Sequence, residues 1–263
     1  MASDLPFPKP ESSAQSEPIR IVPLYSPGEA IGEVKKVTSP PQLVYNNGPL
    51  LSAVQVFTVF WGSAWQQSPL SDTVQSLNSF FDFILTSPLM DQMVEYSTST
   101  QKIGHGSRIG TTTITTPSLG SSVTDSDIQQ MLNNAIANNS AFPQPTPNTL
   151  YFVYLPSGVV VSQGGESSCQ SFCGYHNDIN GQTFYAVMPY PDCAGCTSNL
   201  AVLDSLTSTS SHELCEAITD PVPGQGWYDQ GNGEIGDICA WQTKQVGNYT
   251  VQKEWSNSSN ACI

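Results

Sequence analysis

A pair of residues in the stretch SSHELCEAITDP, residues 210–221, has side-chain types and a spacing that could support metal chemistry. His212 and Glu216 are four residues apart, which on an α-helix places them about 40° apart around the axis. Imidazole nitrogens and carboxylate oxygens are good ligands for Zn²⁺, so one ion could be held between the two side chains. The competing interpretation is an ordinary exposed pair, which stabilises a helix by only about 0.2–0.5 kcal/mol.

Glu213 adds a third chemical group to the same helix. It points about 100° away from His212 around the axis, beside the predicted ligands. A carboxylate at this position could act as a general base on water that the ion activates. The apolar residues of the segment cluster on its other side: Leu206, Leu214, Ala217 and Ile218. We therefore expect the apolar side to face the core and the His212 edge to face a cleft.

A further ligand must come from another part of the chain, because a catalytic zinc site usually has three protein ligands. The best candidates are Glu234 and Asp237 in NGEIGDIC, just over twenty residues after the helix. His176, in FCGYHND, could supply a second nitrogen ligand or donate a hydrogen bond to a substrate. Its place close to Cys173 suggests that a disulfide fixes its position.

The string HELCEAITDP followed by GEIGD resembles the gluzincin metalloproteases, in which an HExxH helix is followed by a segment carrying a glutamate ligand. The resemblance implies that His212 is the first ligand and Glu213 the general base. It also implies that Glu234 is the downstream ligand and that Asp237 hydrogen bonds to the ring nitrogen of the histidine that does not bind the metal. Glu216 departs from this pattern, because gluzincins have a histidine there.

A broader resemblance covers the strand VQVFTVFWGSAW, the element FCGYH, the helix HELCEAITDP, the segment GEIGDIC and the EWS...C end. Together these segments resemble the EXORDIUM-like, phosphate-induced family of secreted plant proteins and related bacterial and fungal proteins. In that family a glutamate is usual at the position of Glu216, which implies a selected ligand. The resemblance implies a secreted protein associated with the cell wall, and it implies no particular reaction.

The ligand set leads us to expect Zn²⁺, with Ca²⁺ or Mn²⁺ as alternatives. If both Glu216 and Glu234 bind, two negative charges neutralise the dication. Its pull on water then weakens, and the preference shifts towards harder metals.

The charge balance of the chain argues against nucleic-acid and membrane-surface binding. The 263 residues include 8 Lys+Arg and 22 Asp+Glu, which gives a formal net charge of −14. Such a surface repels phosphate backbones and anionic lipids. No apolar run is long enough to cross a bilayer, which predicts a soluble protein.

Seven cysteines occur in a chain whose polar surface residues are mainly Ser, Thr, Asn and Gln. Pairing sequence neighbours gives three bridges, Cys169 with Cys173, Cys193 with Cys196 and Cys239 with Cys262, and leaves Cys215 free. The alternatives are a structural zinc site in the four clustered cysteines and a redox pair in the C-x2-C motif. Disulfides are favoured, and they indicate secretion.

Two further features bear on secretion. N-x-[ST] sequons at Asn138, Asn248 and Asn257 are consistent with a secreted glycoprotein. The start, MASDLPFPKP, lacks the basic and apolar regions of a signal peptide, so either a leader has been removed or the protein is intracellular.

Apolar patterns predict the main elements. VQVFTVFW, TFYAVMPY and YTVQKEWS predict strands, and TLYFVYLPSGVVVS predicts two strands around residues 156–158. SDTVQSLNSFFDFIL predicts an amphipathic helix that ends near Pro88. Thr124 and Asp127 resemble a capping box before the helix IQQMLNNAIA. The helix LAVLDSLTSTSSHELCEAITD ends before Pro221.

These observations predict an α+β fold: a single zincin-like domain over residues 46–263, with a mixed sheet and a long helix that carries the metal site. The proline-rich, polar composition of residues 1–45 predicts an extended or partly disordered tail. The leading hypothesis is a secreted metal-dependent hydrolase that cleaves peptide or protein substrates. The alternative is a non-catalytic, metal-stabilised extracellular protein that binds a protein partner or a cell-wall glycan. Aromatic residues that could stack on sugars are Trp61, Trp65, Trp227 and Tyr228.

Overall fold

A computed structural model describes residues 21–25 and 40–263 of the chain. The strands are β1 Ile21–Pro23, β2 Val44–Tyr45, β3 Gln55–Trp61, β4 Ser107–Ile114, β5 Ser122–Thr124, β6 Thr149–Tyr154, β7 Val160–Gln163, β8 Glu166–Ser167, β9 Phe172–Ile179, β10 Thr183–Met188, β11 Trp227–Tyr228, β12 Thr243–Val246, β13 Tyr249–Gln252, β14 Trp255–Ser256 and β15 Ala261–Cys262. The α-helices are α1 Leu70–Ile84, α2 Pro88–Met93, α3 Asp125–Asn138, α4 Ala194–Thr197 and α5 Val202–Thr219. Short 3-10 helices cover Ser63–Gln66, Val94–Tyr96 and Asp237–Cys239.

The largest sheet has six strands in the order β1-β9-β10-β6-β3-β4. Strands β10, β6, β3 and β4 are mutually parallel, whereas β9 is antiparallel to both β10 and β1. The predicted combination of helices with a mixed sheet is therefore confirmed.

Side chains alternate between two apolar layers on the faces of this sheet. Along β6, Leu150 and Phe152 enter the layer packed by α1, α2 and α5, whereas Tyr151 and Val153 enter the layer packed by α3. A central strand covered on both faces buries every side chain, which explains the apolar run that follows Thr149 in TLYFVY.

Two helices form where local sequence signals predict them. Apolar residues at three- and four-residue spacing give α1 one buried face. Thr124 begins α3 with a capping box, since its hydroxyl accepts from the backbone N–H of Asp127, whose carboxylate accepts from the backbone N–H of Thr124.

Helix α5 is buried on every side, which corrects the prediction of one face on a cleft. Every residue from Ser205 to Thr219 is buried, because the helix runs between the sheet strands β9 and β10 on one side and β13 on another. Its many hydroxyl groups are compatible with this position because they hydrogen bond internally: Ser210 to the Tyr154 hydroxyl at 2.7 Å and Thr207 to the Thr250 carbonyl at 2.7 Å.

Two predicted strand segments are divided differently from the sequence expectation. TLYFVYLPSGVVVS gives β6 in the large sheet and β7 in a separate sheet with β5 and β8. YTVQKEWS is interrupted between β13 and β14, where the backbone N–H of Glu254 donates to the carbonyl of Ile263.

Within the predicted tail, Ile21–Pro23 forms β1 and pairs with β9 at the edge of the large sheet. Residues 1–20 and 26–39 of that prediction lie outside the described residues. No described helix is long and apolar enough to span a membrane.

The cysteines form three disulfides, but two of them pair differently from the sequence-neighbour prediction. Cys169 bonds Cys193, and Cys173 bonds Cys196, so β9 and the segment containing α4 are cross-linked twice. The third bridge joins Cys239 to Cys262 as predicted, and Cys215 is free and buried.

This pairing removes both alternatives to disulfides. The four clustered sulfur atoms are engaged in disulfides and do not form a thiolate set for zinc. Cys193 and Cys196 do not bond each other, as a C-x2-C redox pair would. Disulfides are typical of an oxidising, extracellular compartment.

Candidate metal centre

Three parts of the chain meet at the buried centre of the molecule. Helix α5 supplies His212, Glu213 and Glu216, strand β9 supplies His176, and the segment after β11 supplies Glu234 and Asp237. Gly174 allows β9 to approach α5 closely, since a Cβ there would lie 2.7 Å from Cγ2 of Thr209. The structure thus brings together all six residues predicted from the sequence.

The ring of His212 is oriented by Gln252 of β13. The side-chain nitrogen of Gln252 donates to the carbonyl of Gly236 at 2.9 Å, so its oxygen faces Nδ1 of His212 at 3.0 Å. The backbone N–H of Trp241 also donates to that oxygen at 3.2 Å. Nδ1 must therefore carry the proton, which directs the lone pair of the neutral ring to Nε2.

Nε2 of His212 faces two carboxylates. It lies 2.9 Å from Oε1 of Glu216 and 3.9 Å from Oδ1 of Asp237. Neither Nε2 nor Oδ1 of Asp237 has a hydrogen-bond partner, although both are buried. Potential ligand atoms from His212, Glu216 and Asp237 thus converge, as a cation site requires.

The structure gives Asp237 a different place from the one implied by the gluzincin resemblance. Its Oδ1 is on the Nε2 side of His212, and Gln252 takes the supporting place at Nδ1. Asp237 is held there because its Oδ2 accepts from the backbone N–H of Glu234 at 2.9 Å, and its own N–H donates to Oε1 of Glu216 at 3.1 Å.

A second group forms around the other oxygen of Glu216. Nδ1 of His176 lies 3.5 Å from Oε2 of Glu216, and its Nε2 lies 3.5 Å from Oε1 of Glu234. Glu234 is therefore placed with His176, and Asp237 with His212. Glu216 is shared by the two groups, each of which could hold a metal ion.

Glu213 contacts the second group through one oxygen. Its Oε2 is 3.0 Å from Nδ1 of His176, while its Oε1 has no hydrogen-bond partner. The other ring nitrogen of His176 is 3.1 Å from the carbonyl oxygen of Asp220. Because both ring nitrogens face acceptors, His176 is protonated on both when no other cation is present.

The electrostatics of the centre follow from its burial. Burial would raise the pKa of Glu216, but His212 and His176 beside it lower that pKa to about 2. Burial raises the pKa of Glu234 and Asp237 well above the usual range, and the Glu216 carboxylate raises both further. Burial would lower the pKa of His212, yet Glu216 raises it well above its usual value. These shifts favour the protonated forms of His212, Glu234 and Asp237 beside an ionised Glu216.

The unpartnered atoms fit a metal ion. The buried atoms without hydrogen-bond partners include His212 Nε2, Glu213 Oε1, Glu216 Oε2, both carboxylate oxygens of Glu234, and Asp237 Oδ1. Buried polar groups in proteins are nearly always hydrogen bonded, so this concentration needs an explanation. Imidazole and carboxylate donors together match Zn²⁺ and Mn²⁺.

Access to the centre is restricted. His176, His212, Glu213, Glu216 and Glu234 are each 0% exposed. Solvent or a substrate can reach them only if the surrounding segments move.

Sequence reasoning missed two contributors and underestimated a third. Gln252 and Glu254 are two residues apart at the end of β13, and both are buried beside the centre. Their spacing of two residues in the predicted strand YTVQKEWS, which puts both on one face of an extended chain, could have identified them. Asp220 forms the predicted turn, accepting from the backbone N–H groups of residues 224–226, and its carbonyl also meets His176.

The aromatic residues considered for sugar stacking do not form an exposed platform. Trp61, Trp65 and Tyr228 are buried, and the indole N–H of the partly buried Trp227 donates to the carbonyl of Tyr96 at 2.7 Å.

The sequons differ in accessibility. Asn138 and Asn248 are exposed, but the amide of Asn257 donates to the carbonyl of Leu43 at 2.8 Å, so a glycan there would break that contact.

Comparison with known proteins gives no match: no protein-family model, curated protein or solved structure matches the chain.

Proposed function

We propose that the chain is a secreted, zincin-like metal-dependent hydrolase that cleaves a peptide or related amide bond. The observation that carries the proposal is the geometry at His212. Its Nδ1 proton is directed to Gln252, so its Nε2 faces Oε1 of Glu216 at 2.9 Å, where only a proton or a metal ion makes the contact favourable. Two facing acceptors at this distance repel unless a proton or a metal ion lies between them.

The ligands of the ion are His212, Glu216 and Asp237. One nitrogen and two oxygen donors suit Zn²⁺ best, with Mn²⁺ as the next choice and Ca²⁺ after it, since Ca²⁺ prefers more oxygen ligands. A zinc ion held there supplies Lewis-acid polarisation of a carbonyl group and lowers the pKa of water.

Glu213 is the general base of the proposed reaction. His176 fixes one carboxylate oxygen at 3.0 Å, which orients the group and leaves Oε1 unpartnered to accept a proton from water. The contact with His176 therefore makes that residue a positioning group for Glu213.

The complete burial of the centre favours a second candidate, in which the ion stabilises the fold of a non-catalytic extracellular protein with a protein or glycan partner. A structural site needs no route for a substrate, whereas a hydrolase must open one.

We also propose secretion and kinship with the EXORDIUM-like proteins. Three disulfides support an oxidising compartment. The segments FCGYH, HELCEAITDP and GEIGDIC, which carry the resemblance, all contribute to the centre.

The discriminating experiment compares the wild type with Glu213→Gln and with the exposed control Glu166→Gln. Bound metal is measured by elemental analysis, and hydrolysis is measured on a fluorogenic peptide library. A hydrolase requires that Glu213→Gln retain the metal and lose turnover by about 100-fold or more, while the control keeps both. Metal retention with no turnover in the wild type would support the non-catalytic candidate, and absence of bound metal in every protein would refute both.

A further inference from the structure

Glu216 has the contacts of a bridging carboxylate. Its Oε1 faces Nε2 of His212 at 2.9 Å, and its Oε2 faces the ring of His176 at 3.5 Å. The two oxygens therefore face two different groups of potential ligands. A carboxylate that binds through only one oxygen would leave the other to be satisfied by a hydrogen bond, yet Oε2 has no hydrogen-bond partner.

Glu234 provides an independent indication of a ligand on the His176 side. It is 0% exposed, and neither of its carboxylate oxygens meets a donor; its neighbour is another buried acid, Asp220, which raises its pKa further. Its Oε1 is 3.5 Å from Nε2 of His176. Burying a carboxylate with both oxygens unpaired is strongly unfavourable, so this side chain is suited to a cation and not to a role in holding the fold.

The charge of the centre also calls for more than one divalent ion. Six carboxyl groups lie at or beside the two positions: Glu213, Glu216, Asp220, Glu234, Asp237 and Glu254. The ion pairs of the described residues connect these carboxylates only to His176 and His212. With both imidazoles neutral, as metal ligands must be, one dication balances only two carboxylates of this group, whereas two dications balance four.

We propose that the centre binds two divalent metal ions bridged by Glu216. This inference rests on the metal site of the proposed function. The first ion is bound by His212, Glu216 Oε1 and Asp237; the second is bound by Glu216 Oε2, the carboxylate of Glu234 and one ring nitrogen of His176. His176 joins the second ion by exchanging one of its two present contacts for the metal, either the Glu213 carboxylate at 3.0 Å or the Asp220 carbonyl at 3.1 Å. The oxygen-rich second position suits Mn²⁺ or Zn²⁺.

Stoichiometry tests the proposal. The full chain is stripped with a chelator and titrated with Zn²⁺, and the bound metal is counted by calorimetry and elemental analysis. We expect two equivalents in the wild type and in the exposed control Glu166→Gln. One equivalent should remain in Glu234→Gln, which loses the second ion, and one in Asp237→Asn, which loses the first. Circular dichroism verifies that each variant is folded.

Electron paramagnetic resonance of the Mn²⁺-loaded protein tests the bridge directly. Ions about 3.5–4 Å apart, as in known two-metal sites, give an exchange-coupled spectrum. We expect that spectrum in the wild type and an isolated Mn²⁺ spectrum in Glu234→Gln.

Each other outcome overturns the inference in a recognisable way. If the wild type binds one equivalent, and this equivalent is retained in Glu234→Gln and lost in Asp237→Asn, there is no second ion and the proposed function is unaffected. If the wild type binds two equivalents without exchange coupling, or if Glu234→Gln retains two, the additional ion binds outside the position between Glu216 and Glu234. No bound metal refutes this inference together with the proposed function.

Discussion

Gly236 packs against the imidazole of His212 with no room between them for a side chain. A Cβ atom on Gly236 would lie 2.8 Å from Cγ of His212 and 2.9 Å from Oε1 of Glu216. The backbone at Gly236 has φ −81°, so the glycine is needed for space and not for an unusual backbone conformation. Its carbonyl also accepts from Gln252, so one residue limits the space for two proposed metal ligands and helps to orient the amide that holds His212.

Gly236→Ala should therefore disturb metal binding. The added methyl group displaces His212 or Glu216, and we expect Zn²⁺ affinity to fall by about 10- to 100-fold, the range found when the groups that support metal ligands are altered. Calorimetric titration measures the change. Gly120→Ala is the matched control because a Cβ there would come no closer than 3.7 Å to another residue's atoms. Equal affinities in the two variants would contradict the packing described at Gly236.

Gln252→Met should weaken the site without removing a ligand. Methionine fills a similar volume but accepts no strong hydrogen bond from Nδ1 of His212, so the ring loses its fixed orientation. We expect about a 10-fold or greater loss of Zn²⁺ affinity, measured by competition with a chromophoric chelator. Gln66→Met, at an exposed position, is the control. An unchanged affinity in Gln252→Met would show that the ring is held by other contacts.

Glu234→Gln should change stability in opposite directions with and without metal. In the stripped protein the substitution removes a buried carboxylate whose oxygens are unpaired, and we expect the free energy of unfolding to rise by ~1–3 kcal/mol. In the metal-loaded protein it removes a ligand, so the stabilisation by Zn²⁺ should shrink. Urea unfolding measures both quantities, with Glu166→Gln as the control. A loss of stability in the stripped protein would mean that Glu234 is a structural residue.

The crossed disulfides predict a specific peptide map. The denatured, alkylated protein is cleaved between residues 174 and 192, away from the four clustered cysteines. The peptide that contains Cys169 and Cys173 should then remain joined to the peptide that contains Cys193 and Cys196 until a reductant is added. Pairing of sequence neighbours would instead release the two peptides separately. Mass spectrometry before and after reduction decides between the two patterns.

The capping box of α3 should make a pH-dependent contribution to stability. The backbone N–H and the hydroxyl of Thr124 donate to the Asp127 carboxylate at 2.8 and 2.7 Å and lower its pKa. Because the folded state favours the ionised form, the contribution is present above the usual aspartate range. It is lost as pH falls through the lowered pKa.

Thr124→Ala tests the same cap at neutral pH, where we expect a loss of about 1 kcal/mol in the free energy of unfolding. The loss should diminish in strongly acidic solution, where Asp127 is protonated. Ser121→Ala serves as the control, because the side chain of Ser121 is exposed and makes no hydrogen bond with the described residues. A pH-independent loss for Thr124→Ala would show that the carboxylate takes no part.

The sequence by itself determined those parts of the centre that depend on local geometry. A helix places residues four apart on one edge, so the spacing of His212 and Glu216 was sufficient to predict that their side chains lie together. The apolar periodicity of α1 and the cap of α3 were equally local, and both predictions are confirmed.

Only the tertiary structure decided how distant segments meet. The sequence identified Glu234 and Asp237 as a pair of candidates, but the fold places them in different groups, with His176 and His212 respectively. Gln252 arrives from a strand 40 residues beyond His212 in sequence. Such contacts are set by the packing of β9 and β13 around α5 and by the crossed disulfides. Spacing along the chain carries no information about side chains that become neighbours only when the whole core has formed, because many arrangements of the same elements would satisfy the same local preferences.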